Sequence, residues 1–243
     1  MDTELKQALS EHIAELRKTL ILSVVTLLAF FVLIFLLFDD PLVDFFLKDI
    51  RNLGLSVVYT TIAEVWTTKI KVAFIAAFVA AFPFISFYFW RFLAPALYRH
   101  ERRIIGACFF ASLFLFILGV AFAYFVVLPF TLRFFVTFGM DTADAMLTIS
   151  RYVSFLMAFI VPFGLVFQMP MAVYLLTKLG LIGPALLVKT RKYVIVLLLI
   201  LAAVLTPPDV VSQLLLFFPM MILWEISVAV AKRTTPLREK TEE

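Results

Sequence analysis

Six apolar stretches, most of them long enough to cross a bilayer, dominate what this chain can fold into. They occupy residues 20–38, 72–90, 104–127, 152–179, 194–205 and 210–231. A helix rises about 1.5 Å per residue, so about 20 residues cover a hydrocarbon core of about 30 Å. Open strands cannot cross, because lipid offers no partner for their backbone groups. The expected fold class is an all-α integral membrane protein with six transmembrane helices. Composition agrees: 64% of the 243 residues are hydrophobic and 16% are charged, against roughly 45–50% and about 25% in soluble domains. The 29 phenylalanines suit surfaces that face lipid.

The fifth stretch has only twelve residues before Thr206-Pro207-Pro208-Asp209, roughly 18 Å of helix. The two prolines lack N–H donors and end it. Stretches five and six therefore read as a hairpin of short helices with a very short outer turn. A hairpin of that kind thins the bilayer beside it.

Lysine and arginine set the orientation. Segments 1–19, 91–103, 178–193 and 231–243 hold fifteen of the 21, and the intervening loops hold the rest. The positive-inside rule places both termini in the cytoplasm. The expected organisation is an amphipathic cytoplasmic helix over 1–19, a transmembrane domain over 20–231, and a solvated, disordered cytoplasmic tail over 232–243. The start, MDTELKQALSEHIAELRK, shows no small-residue cleavage site, so the first span is expected to be retained.

The net charge of +4 does not point to nucleic acid, because the basic residues flank apolar spans. Cys108 is the only cysteine, and His12 and His100 have no ligand spacing around them. No metal or other cofactor is expected. No catalytic constellation and no fixed-period repeat is visible, so an enzyme is not expected.

The candidate functional residues are polar groups in unusual places. In LSEHIAELRKTL, Leu9, Ile13, Leu16 and Leu20 form one helical stripe, while Glu11, Glu15 and Lys18 form another. Glu15 either pairs with Lys18 or serves as an acidic acceptor at the membrane surface. In RFLAPALYRHERR, Glu101 is the sole acid, set among Arg99, His100, Arg102 and Arg103. It either balances local charge or accepts a guanidinium bidentately, which a lysine cannot imitate. If Glu15 and Glu101 face each other, they make a site for two arginines. Within the spans, Gln168 precedes Pro170 and Glu225 sits in LWEIS. Polar groups there are costly. Gln168 either satisfies a backbone acceptor freed by Pro170 or contacts another polar helix. Asp209 reads as an N-cap of the sixth helix, with Ser212 and Gln213 at the same outer turn.

The run YFWRFLAPALYRHERR, with FAYFVVLPF, HIAELRKTL, the Asp40–Leu42 DPL and LTPPDVVSQLLLFFPM, resembles the TatC family, the polytopic core of the twin-arginine protein translocase. The likeness covers nearly the whole chain. It implies a receptor for signal peptides bearing consecutive arginines, which bind a glutamate of the N-terminal helix and one of the first cytoplasmic loop, here Glu15 and Glu101. Arg17, Phe92, Pro95, Leu97, Tyr98 and Arg103 fall at matching motif positions and would shape that site. Pro41 and Asp209 match positions on the outer side. The resemblance also implies single-span TatA- and TatB-type partners, self-association, folded cargo and use of the proton motive force. The family often carries glutamate where this chain has Gln168, so a proton-titrating role there is not implied. The rival reading is a small proton-coupled transporter or channel using Gln168, Glu225 and Asp209. It lacks inverted repeats and a midplane acidic cluster.

Overall fold

The computed structural model describes residues 2–37, 39–52, 57–93, 102–139, 147–205 and 210–234. The chain divides into two compact units, Met1–Phe46 with Trp66–Leu113, and Leu47–Val65 with Phe114–Glu243. The described residues form nine α-helices, a single π-helical turn and two strands of two residues each.

Helix α1 runs unbroken from Asp2 to Leu37, and α2 follows at Asp39–Asn52. The sequence predicts this short outer-loop helix over 42–49, and α2 extends it at both ends. Helix α3 spans Ile62–Leu93 and α4 spans Arg102–Phe122. In the first unit α1 meets α3 through the Phe30 and Phe84 rings, 5.3 Å apart. Helix α3 meets α4 through Phe87 and Phe109 and through a 3.3 Å hydrogen bond from Ser86 to Ser112. None of the apolar window of α1 is buried, as expected of a helix whose solvent is lipid.

In the second unit the π-helical turn Ala123–Val127 leads into α5, Leu128–Gly139. The Leu128 N–H reaches back to the Ala123 carbonyl, which inserts one extra residue just ahead of Pro129. A proline would clash with the carbonyl four residues before it, and the π turn relieves that clash. Helix α6, Ile149–Val166, and α7, Met169–Lys178, together make the fourth apolar stretch. That stretch reads as continuous in sequence, but it breaks at Phe167-Gln168, where Pro170 occupies the first turn of α7. Gly119 and Gly164 allow close packing near this break. A Cβ on Gly119 would lie 2.7 Å from Phe167 Cγ and 2.8 Å from the Phe163 carbonyl, and one on Gly164 would lie 2.8 Å from Phe116 Cε2. Small residues let membrane helices approach without a hydrophobic driving force.

Helix α7 ends in a Schellman motif. Leu181 N donates to the Leu176 carbonyl and Gly180 N to the Thr177 carbonyl, with Gly180 at φ +70°. Helix α8, Pro184–Leu205, and α9, Val210–Arg233, then pack on each other, and α7 also packs on α9. Several hydroxyls in the unit donate to carbonyls one turn back, as from Thr131 to Val127 and from Ser227 to Leu223. This satisfies them where lipid offers nothing.

Among the described residues five helical segments are long and apolar enough to cross a membrane: Ile13–Leu37, Ile62–Leu93, Ile105–Phe134, Ile149–Lys178 and Val210–Arg233. Helix α8 does not join them although it has 22 residues. Lys189, Arg191 and Lys192 occupy its first half, leaving the twelve-residue apolar run seen in the sequence. The sixth helix is not short, contrary to the expectation: α9 has 24 residues, about 36 Å. The proline pair bounds its start but does not shorten its far end.

Candidate functional site

Where α1 passes the last turns of α3, the first unit forms a recess of roughly 300 Å³. Glu15, Lys18, Thr19 and Leu22 line it from α1, and Tyr88, Arg91 and Phe92 from α3. The two sets follow the spacings of three and four that place residues on one helical face. The recess offers one carboxylate, two cations, two aromatic rings and the hydroxyls of Thr19 and Tyr88. Among the described residues Glu15 forms no ion pair, so the intrahelical bond to Lys18 is not made. Its carboxylate can accept a guanidinium bidentately, while Tyr88 and Phe92 provide faces for cation–π contact. Lys18 and Arg91 oppose a lone cation here, so a cationic occupant needs a second acid or must turn these side chains toward water.

Of the residues singled out in the sequence, Glu15, Lys18 and Phe92 lie in this recess. Arg17 is exposed on α1 and does not line it. Pro95, Leu97, Tyr98 and Glu101 lie outside the described residues, as does the side chain of Arg103 at the start of α4. The facing of Glu15 and Glu101 therefore also lies outside them. Lys18 was read as the alternative partner of Glu15, while Tyr88, Arg91 and Leu22 were missed. Their helical spacing from Phe92 and Glu15 was the available signal.

The polar residues of the second unit are held by structure. Glu225 accepts a fork of two bonds from Arg191, with Nε donating to Oε1 at 2.7 Å and Nη2 donating to Oε2. That hydrogen-bonded carboxylate and its charge hold the Arg191 guanidinium above its ordinary pKa. Gln213 Nε2 donates to the Leu199 carbonyl at 3.1 Å and ties α9 to α8. Gln168 sits at the N-cap of α7 with no side-chain capping bond. Pro41, in the first unit, is exposed in the first turn of α2. Asp209 lies outside the described residues.

Glu64 was not singled out in the sequence. It is 7% exposed, and the donors to its carboxylate include Thr60 N at 2.7 Å, Thr60 Oγ1 at 2.8 Å and Ser150 N at 3.2 Å. The strands β1, Val57–Val58, and β2, Leu147–Thr148, pair in parallel beside it. An acidic residue in the first turn of a helix is common, and only the fold distinguishes this one by placing Ser150 against it.

These features define a multi-pass helical membrane protein with a charged, aromatic recess on two of its helices. A family model described as "Sec-independent protein translocase protein (TatC)" matches residues 11–219. The chain belongs to the TatC family and is a protein translocase component. It is 39% identical over 229 residues to the Sec-independent protein translocase protein TatC of Carboxydothermus hydrogenoformans, covering 94% of each chain. The TatC of Escherichia coli (strain K12) is 37% identical over 230 residues, 94% of this chain and 89% of that one. A crystal structure described as the twin arginine translocase receptor TatC superposes with a TM-score of 0.84 at 35% identity, covering 91% of this chain and 98% of the other.

Proposed function

We propose that this chain is the receptor subunit of a twin-arginine translocase. It binds the paired arginines of a cargo signal at the cytoplasmic face through Glu15 and Glu101. The observation that carries the reading is Glu15 itself, unpaired among the described residues and lining the α1–α3 recess together with the Tyr88 and Phe92 rings. Two acids meet the two arginines: one guanidinium docks on Glu15 and the other on Glu101, while Lys18 and Arg91 turn toward water. Arg17, Pro95, Leu97, Tyr98 and Arg103 shape the rim. Both termini lie in the cytoplasm, and α8 serves as the short fifth of six spans. The outer halves of α8 and α9, joined by Gln213, receive the single helix of a TatA- or TatB-type partner. Pro41 and Asp209 act on the outer face, and the proton motive force drives transport of folded cargo by the self-associated complex.

The test is capture of a twin-arginine signal peptide by the purified chain, with a twin-lysine peptide as control. The reading expects Glu15→Ala and Glu101→Ala each to weaken capture of the arginine peptide. Undiminished capture by the double variant overturns it. The transporter reading is not favoured, because Glu225 is engaged by Arg191.

A further inference from the structure

We propose that the cation-bearing end of α8 is a binding site for an anionic phospholipid, a reading independent of the receptor assignment. Across helices α7, α8 and α9 the described residues include six cations, Lys178, Lys189, Arg191, Lys192, Lys232 and Arg233, and a single acid, Glu225. Arg191 takes both oxygens of that acid. The pair neutralises itself, and Lys189 and Lys192 beside it are exposed with no acid on these helices left to meet them.

The surface next to these lysines is apolar in one direction. Lys189, Tyr193, Val196 and Ile200 follow at spacings of four, three and four, which places them on one face of α8. Tyr193 is 65% exposed, and Val196 and Ile200 are each more than half exposed. Lys192 Nζ lies 5.1 Å from the centroid of the Tyr193 ring, which holds the ammonium at the level where that face changes from charged to apolar. Tyrosine and lysine together mark the headgroup level of a bilayer. An occupant that fits has a negative head at Lys189 and Lys192 and a hydrocarbon chain along Tyr193, Val196 and Ile200. A phospholipid of net negative charge has that form. A free phosphate would use the lysines and leave the apolar track unused, and a zwitterionic lipid gives the two lysines no net charge to meet.

Glu225 sets the number of free cations. Because it holds Arg191, two cations face the headgroup and not three. Removing its charge releases Arg191 to join them.

The experiment uses the full chain in nanodiscs of phosphatidylglycerol and phosphatidylcholine. Annular lipid is read by native mass spectrometry, with competition between the two lipids. The wild type is expected to retain phosphatidylglycerol selectively. Lys189→Gln with Lys192→Gln is expected to lower that selectivity by about tenfold or more, and Glu225→Gln to raise it by about fivefold, on the scale of one surface cation per lipid contact. Equal thermal melting of the three proteins shows that folding is not the cause. If folding fails in the double variant, the rise in Glu225→Gln alone decides. Undiminished selectivity in a folded double variant overturns the site, as does equal retention of the two lipids by the wild type. Loss of a co-purifying acidic partner with lipid selectivity unchanged also overturns it, in favour of a protein occupant.

Discussion

Glu64 and Ser150 are 86 positions apart in the chain, and a 3.2 Å hydrogen bond joins the carboxylate of one to the backbone N–H of the other. Oε2 of the same carboxylate holds both Thr60 donors. Both carboxylate oxygens therefore act as acceptors here. The carboxylate fastens the 57–61 segment and the first turn of α6 to one point, where β1 and β2 pair.

Glu64→Ala leaves the Thr60 and Ser150 N–H groups without their acceptor. The expected outcome is a melting temperature lower by several degrees and faster proteolysis within the 57–61 segment. Glu64→Gln keeps one acceptor oxygen and should fall between the two proteins. A melting curve of Glu64→Ala that overlays the wild type would show that the bonds contribute nothing net.

The apolar spans were legible in sequence because they rest on length and composition, and the bilayer leaves few alternatives. The π turn before Pro129 and the break at Phe167-Gln168 were not. Each depends on how a proline is accommodated, and prolines also lie inside helices that continue past them, as at Pro83, Pro162 and Pro219. Glu15 and Phe92 were singled out through local motifs, and both line the recess. Their joining into one recess was not legible, because it depends on the register of α1 against α3, which no local pattern encodes. Glu225 was legible as a costly polar group, but its partner was hidden among four nearby cations of segment 178–193.

Gly119 and Gly164 make a graded prediction. A Cβ at Gly119 meets a backbone carbonyl and the root of a ring, neither of which can swing aside. A Cβ at Gly164 meets the far edge of the Phe116 ring, which can tilt. Gly119→Ala should therefore cost about 2–3 kcal/mol of stability and Gly164→Ala about 1 kcal/mol. Thermal or denaturant unfolding in detergent would test this, and equal losses would remove the distinction.

Gly180 needs its glycine for a different reason. A methyl group on its Cα would meet nothing within 4 Å, but its φ is +70°. Gly180→Ala should destabilise by about 1 kcal/mol through backbone strain alone. Gly180→Asn should recover part of that loss, since asparagine tolerates this region. Comparing the two variants in the same unfolding assay separates strain from packing, because a packing defect would be worse with the larger residue.

The recess gives the prediction most directly tied to transport. Tyr88→Phe removes a hydroxyl and keeps the ring, while Tyr88→Ala removes the aromatic face. If the ring serves as a cation–π wall, Tyr88→Phe should bind a twin-arginine peptide nearly as the wild type does. Tyr88→Ala should bind it about threefold or more weakly. Glu15→Gln keeps the size of the side chain and removes its charge. It should weaken the arginine peptide by about tenfold, the lower range for a charge-assisted bond discounted for exposure. Arg91→Gln should act in the opposite direction, because it removes a cation that opposes the ligand beside Glu15. Affinity measured for all four variants with arginine and lysine peptides distinguishes a charge site from a merely structural one. Opposite signs for Glu15→Gln and Arg91→Gln require the ligand's positive charge to sit in the recess, whereas parallel losses would mean that both residues only support the fold of α1 on α3.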